Sequence, residues 1–137
     1  MEKGYLHWKA DIVTEFDPFE TGLERLVGME KAEFIGREAL LTRRASGPQR
    51  RLVTLAIQSR DAPAHGGASV MVDGAVKGTV TSGDWGHRLG MNLAYAFVDP
   101  ALATPGTQVT IDIIGRLTPA EVIPPGPYDP DHANVRA

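Results

Sequence analysis

The sequence predicts an α+β fold: a short N-terminal strand-helix-helix segment followed by a small antiparallel β-barrel. Three observations carry that expectation. Beyond residue 48, apolar residues recur at alternate positions in short runs, with turn signals and no helical pattern between them. Before residue 46, helix-start chemistry and helical spacing occur instead. Between the two lies Ala45-Ser-Gly-Pro48, the clearest break in the chain.

Residues 4–13 read as one strand. Strict alternation puts Tyr5, His7, Lys9 and Asp11 on one face and Leu6, Trp8, Ala10 and Ile12 on the other, so Trp8 falls on the apolar side. A helix is expected next. Asp17 is a good N-cap, Pro18 suits the first helical position, and Glu20 completes a capping box. Phe19, Leu23, Leu26 and Val27 keep helical spacing, and Gly28 ends the element. Gly22 inside it points to close packing against another backbone. A second helix covers Gly36 to Arg44, with Ala39 and Leu40 as its apolar stripe and a basic exit suited to the helix dipole.

The β region follows in order. Arg51 to Gln58 alternates, and residues 61–67 form a turn-rich connection. Ser69 to Val72 and Ala75 to Thr81 flank Asp73-Gly74, a strong hairpin signal. The first β-rich run of the central unit ends at Ser82, and a compact loop carrying Gly83, Gly86 and Gly90 follows, with Trp85 and His87 at its tip. Asn92 to Val98 carries Leu93, Tyr95 and Phe97 at alternate positions, so one strand face is apolar. Gly106 to Ile114 and Thr118 to Ile123 complete the set, broken by Gly115. Residues 124–137 hold too much proline for regular structure.

Composition excludes several classes. The chain has 137 residues, no cysteine and a formal charge of -3, so disulfides, thiolate chemistry and a global basic field for nucleic acid are absent. No apolar run reaches membrane-spanning length, and Met1-Glu2-Lys3-Gly4-Tyr5 lacks a signal-peptide pattern. A cytoplasmic location, with no membrane partner, is expected. Arg37, Arg43, Arg44, Arg50 and Arg51 cluster locally and read as a solvated helix face and its exit loop; a contact with an anionic ligand or partner is the functional reading.

Catalytic constellations are sparse. His7, His65, His87 and His132 form no spaced metal pair, so no metal site is expected. Ser82 lacks the Gly-x-Ser-x-Gly frame of a nucleophile elbow. His87 is the best single candidate for proton transfer, and an independent enzyme would use it with Asp84.

Gly4-Tyr-Leu-His-Trp-Lys-Ala-Asp-Ile12, Pro18-Phe-Glu-Thr-Gly-Leu23, Phe34-Ile-Gly-Arg-Glu-Ala-Leu40, Gly78-Thr-Val-Thr-Ser-Gly83 and Leu93-Ala-Tyr-Ala-Phe-Val98 occur in that order. As a set they resemble the C-terminal part of the glycine-cleavage T-protein (aminomethyltransferase) family. Asp84-Trp-Gly-His-Arg-Leu-Gly90 is most similar to the folate-binding portion of sarcosine and dimethylglycine dehydrogenases. The resemblance implies three lobes around a channel that binds tetrahydrofolate. Residues 1–46 would be the end of the folate-binding domain, 49–123 the C-terminal barrel and 124–137 a Pro-rich tail. It implies that Trp8 lies near the folate ring and Arg136 near its glutamate tail, as substrate-binding residues. Ala10 departs from the family's usual glycine before Asp11.

The family's catalytic aspartate belongs to the N-terminal lobe, so no residue of this chain is assigned a catalytic role. Any FAD would sit on a missing domain or a partner. The implied function is one portion of an aminomethyltransferase-like module, inactive alone, with the remaining lobes or another subunit as partners. The alternative is a non-catalytic β-barrel adaptor that completes a partner enzyme. Either way, the segment around Trp8, Phe16 and Phe19 should lack a packing partner within the chain.

Overall fold

The computed structural model describes all residues 1–137. Its centre is a closed antiparallel barrel of six strands: β1 (Arg51–Ile57), β2 (Ser69–Val72), β3 (Ala75–Gly86), β4 (Met91–Val98), β5 (Gln108–Ile113) and β6 (Arg116–Ile123). The order around the barrel is β1-β4-β3-β2-β5-β6, closed by β1 pairing with β6. Closure leaves no free sheet edge. The α+β class and the small barrel are as the sequence predicts.

β1 and β2 lie on opposite sides of the ring, so residues 58–68 must cross between them. This connection adds Ala64 and Ala68 to the core. Asn92 holds it down by donating from Nδ2 to the carbonyls of Ser59 at 2.8 Å and Ala62 at 3.2 Å. The interior is filled by Val53, Leu55 and Ile57 of β1, Ala94, Ala96 and Val98 of β4, and aliphatic residues of the other strands. The β2–β3 hairpin turns at Asp73-Gly74, both at positive φ (51° and 77°), as a type I′ turn requires.

β4 is buried on both faces. The small side chains of Ala94 and Ala96 face the narrow interior. Leu93, Tyr95 and Phe97, the larger alternate set, face out and are covered by the N-terminal arm. Phe16 stacks on Phe97, and the Tyr95 hydroxyl donates to the Met1 carbonyl at 3.2 Å. The apolar stripe seen in the sequence is therefore a docking face for the arm rather than the core face.

The three-glycine loop is shorter than expected, because β3 continues through Trp85 to Gly86. Gly83 belongs to the strand. A Cβ there would strike the Ala64 carbonyl oxygen of the crossing connection, so only glycine lets the two backbones approach.

The N-terminal segment departs most from the expected elements. Residues 4–13 form turns with a single Trp8–Ile12 bridge, and no strand. The first helix, α1 (Pro18–Thr21), has the capping box but lasts one turn. Gly22 ends it as a left-handed cap, with open space where its side chain would be, so the close-packing reading of Gly22 fails. A 3-10 turn, Glu24–Leu26, follows. The second helix, α2 (Arg37–Ser46), is present with none of its residues buried. The tail is largely irregular, as its prolines dictate, but closes with one helical turn, α3 (Ala133–Arg136).

Candidate functional site

Three carboxylates of the arm fasten it to the barrel. Glu2 Oε1 accepts the backbone N–H groups of Arg88 at 2.7 Å and Leu89 at 3.0 Å, in the β3–β4 turn. Glu20 Oε1 accepts the N–H groups of Gln49 and Arg50, both at 3.2 Å, while its Oε2 accepts the Asp17 N–H in the capping box. Asp11, 1% exposed, accepts from the hydroxyls of Thr81 at 2.5 Å and Ser82 at 2.6 Å on Oδ1, and from the His7 N–H at 2.8 Å on Oδ2. Burying Leu93, Tyr95 and Phe97 is worth about 1.5–3 kcal/mol each, against about 1 kcal/mol net for a hydrogen bond. The two kinds of contact are therefore of similar weight, and the carboxylates also set the register.

The tail joins the same assembly. The Tyr128 N–H donates to the Glu2 carbonyl at 2.9 Å, and Lys3 pairs with Asp129 at 2.9 Å. The hydrogen bond from Lys3 holds the Asp129 carboxyl below its usual range. Burial, and then the charge of Asp11, push the Tyr95 phenol up to about 12.

An open cleft of about 340 Å³ lies where arm, barrel and tail meet. Its walls include Leu6, Leu23, Leu52, Val122 and Pro125, with Arg25 and Thr54 adding polar groups. Mostly apolar walls with a few polar groups are the usual make-up of a small-molecule site.

Trp8 and Arg136, the residues singled out from sequence, are not among the residues lining this cleft. Trp8 is 62% exposed on the loop His7–Ile12, and the expectation of a buried, core-like tryptophan is overturned. The alternation that suggested a strand fails because Asp11 folds back to capture the His7 N–H. Arg136 is exposed on α3. Asp11, Glu20 and Glu2 are the anchors that sequence reasoning missed. Only Glu20 gave a signal, through the capping box, and its second role at Gln49 and Arg50 is purely tertiary.

The remaining candidates resolve simply. Ser82 spends its hydroxyl on Asp11. His87 is exposed at the β3–β4 turn, and Asp84 accepts the N–H of its neighbour Trp85. The arginine cluster is largely paired: Arg37 with Glu38, Arg43 with Asp17, Arg50 with Asp99 and Arg51 with Glu24. Phe16 does find a partner, against expectation, whereas Tyr5, Leu26 and Ile35 stand exposed.

Residues 50–129 match the family described as the glycine cleavage T-protein C-terminal barrel domain. The chain belongs to that family. This T-protein-type barrel is 36% identical to human mitochondrial dimethylglycine dehydrogenase over 124 residues, which cover 90% of the chain and 14% of the dehydrogenase. It is 45% identical to the aminomethyltransferase of Synechococcus sp. (strain CC9311) over 107 residues, 77% of the chain and 29% of that enzyme. The crystal structure of the glycine cleavage system aminomethyltransferase T from Bartonella henselae superposes with a TM-score of 0.85 at 30% identity, over 91% of this chain and 36% of that one. The chain thus spans well under half the length of these relatives. No helix of this T-protein-type chain is long and apolar enough to cross a membrane.

Proposed function

We propose that this chain is the C-terminal barrel portion of a tetrahydrofolate-dependent aminomethyltransferase-like module, serving the oxidation of N-methylated glycines (sarcosine, dimethylglycine) or glycine cleavage. The observation that carries the reading is the likeness to an aminomethyltransferase over 91% of the chain. In this reading residues 1–46 complete the folate-binding domain, residues 49–123 form the closing lobe, and residues 124–137 are the tail. The remaining lobes, or another subunit, supply the catalytic residues, and any FAD sits there too.

Trp8 lies against the folate ring in this proposal, and Arg136 pairs with a glutamate carboxylate. An indole 62% exposed is open to stack on a flat aromatic ring, and an exposed guanidinium is open to pair with a carboxylate. Exposed Tyr5, Leu26 and Ile35 give the missing lobes apolar surface to cover.

The test is a fluorescence titration with tetrahydrofolate, on the chain alone and on the chain mixed with the N-terminal lobes of an aminomethyltransferase relative. The expected result is weak or no binding alone and quenching of tryptophan emission in the mixture. One-carbon transfer by the 137-residue chain alone would overturn the reading of an incomplete site.

A further inference from the structure

We propose that the cleft between arm, barrel and tail is a binding site for a small carboxylic acid with an apolar body, its carboxylate held by Arg25. The site is separate from the one assigned to folate, since neither Trp8 nor Arg136 lines it.

The polar groups of the cleft select the ligand. Arg25 is the only charged residue in the lining. It is exposed and enters no ion pair of the chain, while its neighbour Glu24 faces Arg51 at 3.6 Å. A free guanidinium beside an apolar cleft with no acidic lining favours an anion, and its planar fork matches a carboxylate. The second polar group is the Thr54 hydroxyl. Thr54 is 2% exposed, and its side chain hydrogen-bonds to no other group of the chain. Buried hydroxyls normally have a partner, so this one is left for a ligand or for a water that a ligand displaces. Tyr95 also lines the cleft but spends its hydroxyl on the Met1 carbonyl.

The walls come from three parts of the chain, and each is fixed to the next. Glu20 holds the arm to the backbone at Gln49 and Arg50, just before β1, and Arg51 donates to the Phe19 carbonyl at 2.8 Å. These contacts set Thr21 and Leu23 beside Leu52 and Thr54. On the other side, the arm meets the tail at two glycines. A Cβ on Gly4 would lie 3.2 Å from the Gly126 Cα, and both residues sit at positive φ (78° and 61°), so glycine is needed for the backbones to approach. The Tyr128 N–H bond to the Glu2 carbonyl and the Lys3–Asp129 pair lock this crossing, which places Pro125 in the wall. A cleft whose walls are held before the ligand arrives binds at a lower ordering cost.

The probe is hexanoate, added to the full isotope-labelled chain and followed by amide chemical shifts. Hexylamine and hexanol have the same length but carry a positive charge and no charge. Hexanoate should shift the amides of Thr21, Leu23, Leu52, Thr54 and Val122 saturably, with hexanol weaker and hexylamine without effect. Arg25→Gln should weaken hexanoate at least about fivefold and leave hexanol unchanged, because only the charge-assisted contact is lost. Arg25→Lys, which keeps the charge, should recover part of that loss. Arg25 is exposed, so both variants should fold. No saturable shift, equal binding of hexanoate and hexylamine, or unchanged affinity in Arg25→Gln would overturn the proposal. Displacement of hexanoate by tetrahydrofolate would overturn it too, by making the cleft part of the folate site. Failure of the folate reading is seen separately: tetrahydrofolate then leaves the emission of the completed module unchanged, while hexanoate still binds the cleft.

Discussion

Phe16 and Phe97 stack with ring centroids 3.7 Å apart and 21° between their planes. One ring belongs to the arm and the other to the outer face of β4, so this pair joins the two parts of the chain that the sequence separates at residues 45–48. Phe16→Ala should lower stability by about 2 kcal/mol, the aromatic contact plus part of a half-buried side chain. Urea unfolding measures the loss. Increased protease cutting within residues 1–27, with the barrel strands intact, would locate it to the arm.

Glu20 serves both the capping box and the entry to β1. Glu20→Ala removes the acceptor of three backbone N–H groups and should cost about 2 kcal/mol. Hydrogen exchange should speed up at Gln49 and Arg50 more than at the central residues of β4. Unchanged exchange at those two amides would show that the contact carries no weight.

Gly83→Ala places a methyl group against the Ala64 carbonyl. The crossing connection must shift, and a cost of about 2–3 kcal/mol is expected from overpacking. The control is Gly90→Ala, where a Cβ meets open space and only the positive φ of 67° opposes it, so a loss of about 1 kcal/mol is expected. Thermal melts of the two variants give the comparison.

Tyr95 sets an alkaline limit. Its pKa rises from 10.0 to about 12, through burial first and the Asp11 charge second. The raised value means the folded chain favours the neutral phenol. That contribution is fully present below pH 10.0 and is lost as the pH climbs through about 12. Stability should therefore fall across this window, in step with a late phenolate absorbance change. Tyr95→Phe should lose the late absorbance step and flatten the fall, at the expense of the hydrogen bond to Met1.

Much of the barrel was legible because its signals are local. Asp73-Gly74 specifies a turn by backbone conformation alone, and the alternation of Val53, Leu55 and Ile57 needs only the two-residue period of a strand. The Asp17–Glu20 capping box is likewise complete within four residues, and the structure contains it. The family pattern was legible for the same reason, as ordered short motifs. Two faces of β4 were harder. Alternation says that Leu93, Tyr95 and Phe97 share a face, but not whether that face looks inward.

The amino-acid sequence by itself determined the barrel class, the six barrel strands apart from the far end of β3, the Asp73-Gly74 turn and the first helical cap, since each follows from propensity and period within a few residues. Only the tertiary structure decided what residues 1–27 do. Asp11 meets Thr81 and Ser82 across some seventy positions of chain, Glu2 meets Arg88 across eighty-six, and Phe16 meets Phe97. No local rule encodes such pairings. The free energy of covering an apolar strand face and satisfying buried carboxylates outweighs the strand tendency of residues 4–13, and so the arm folds as turns around the barrel with Trp8 facing out.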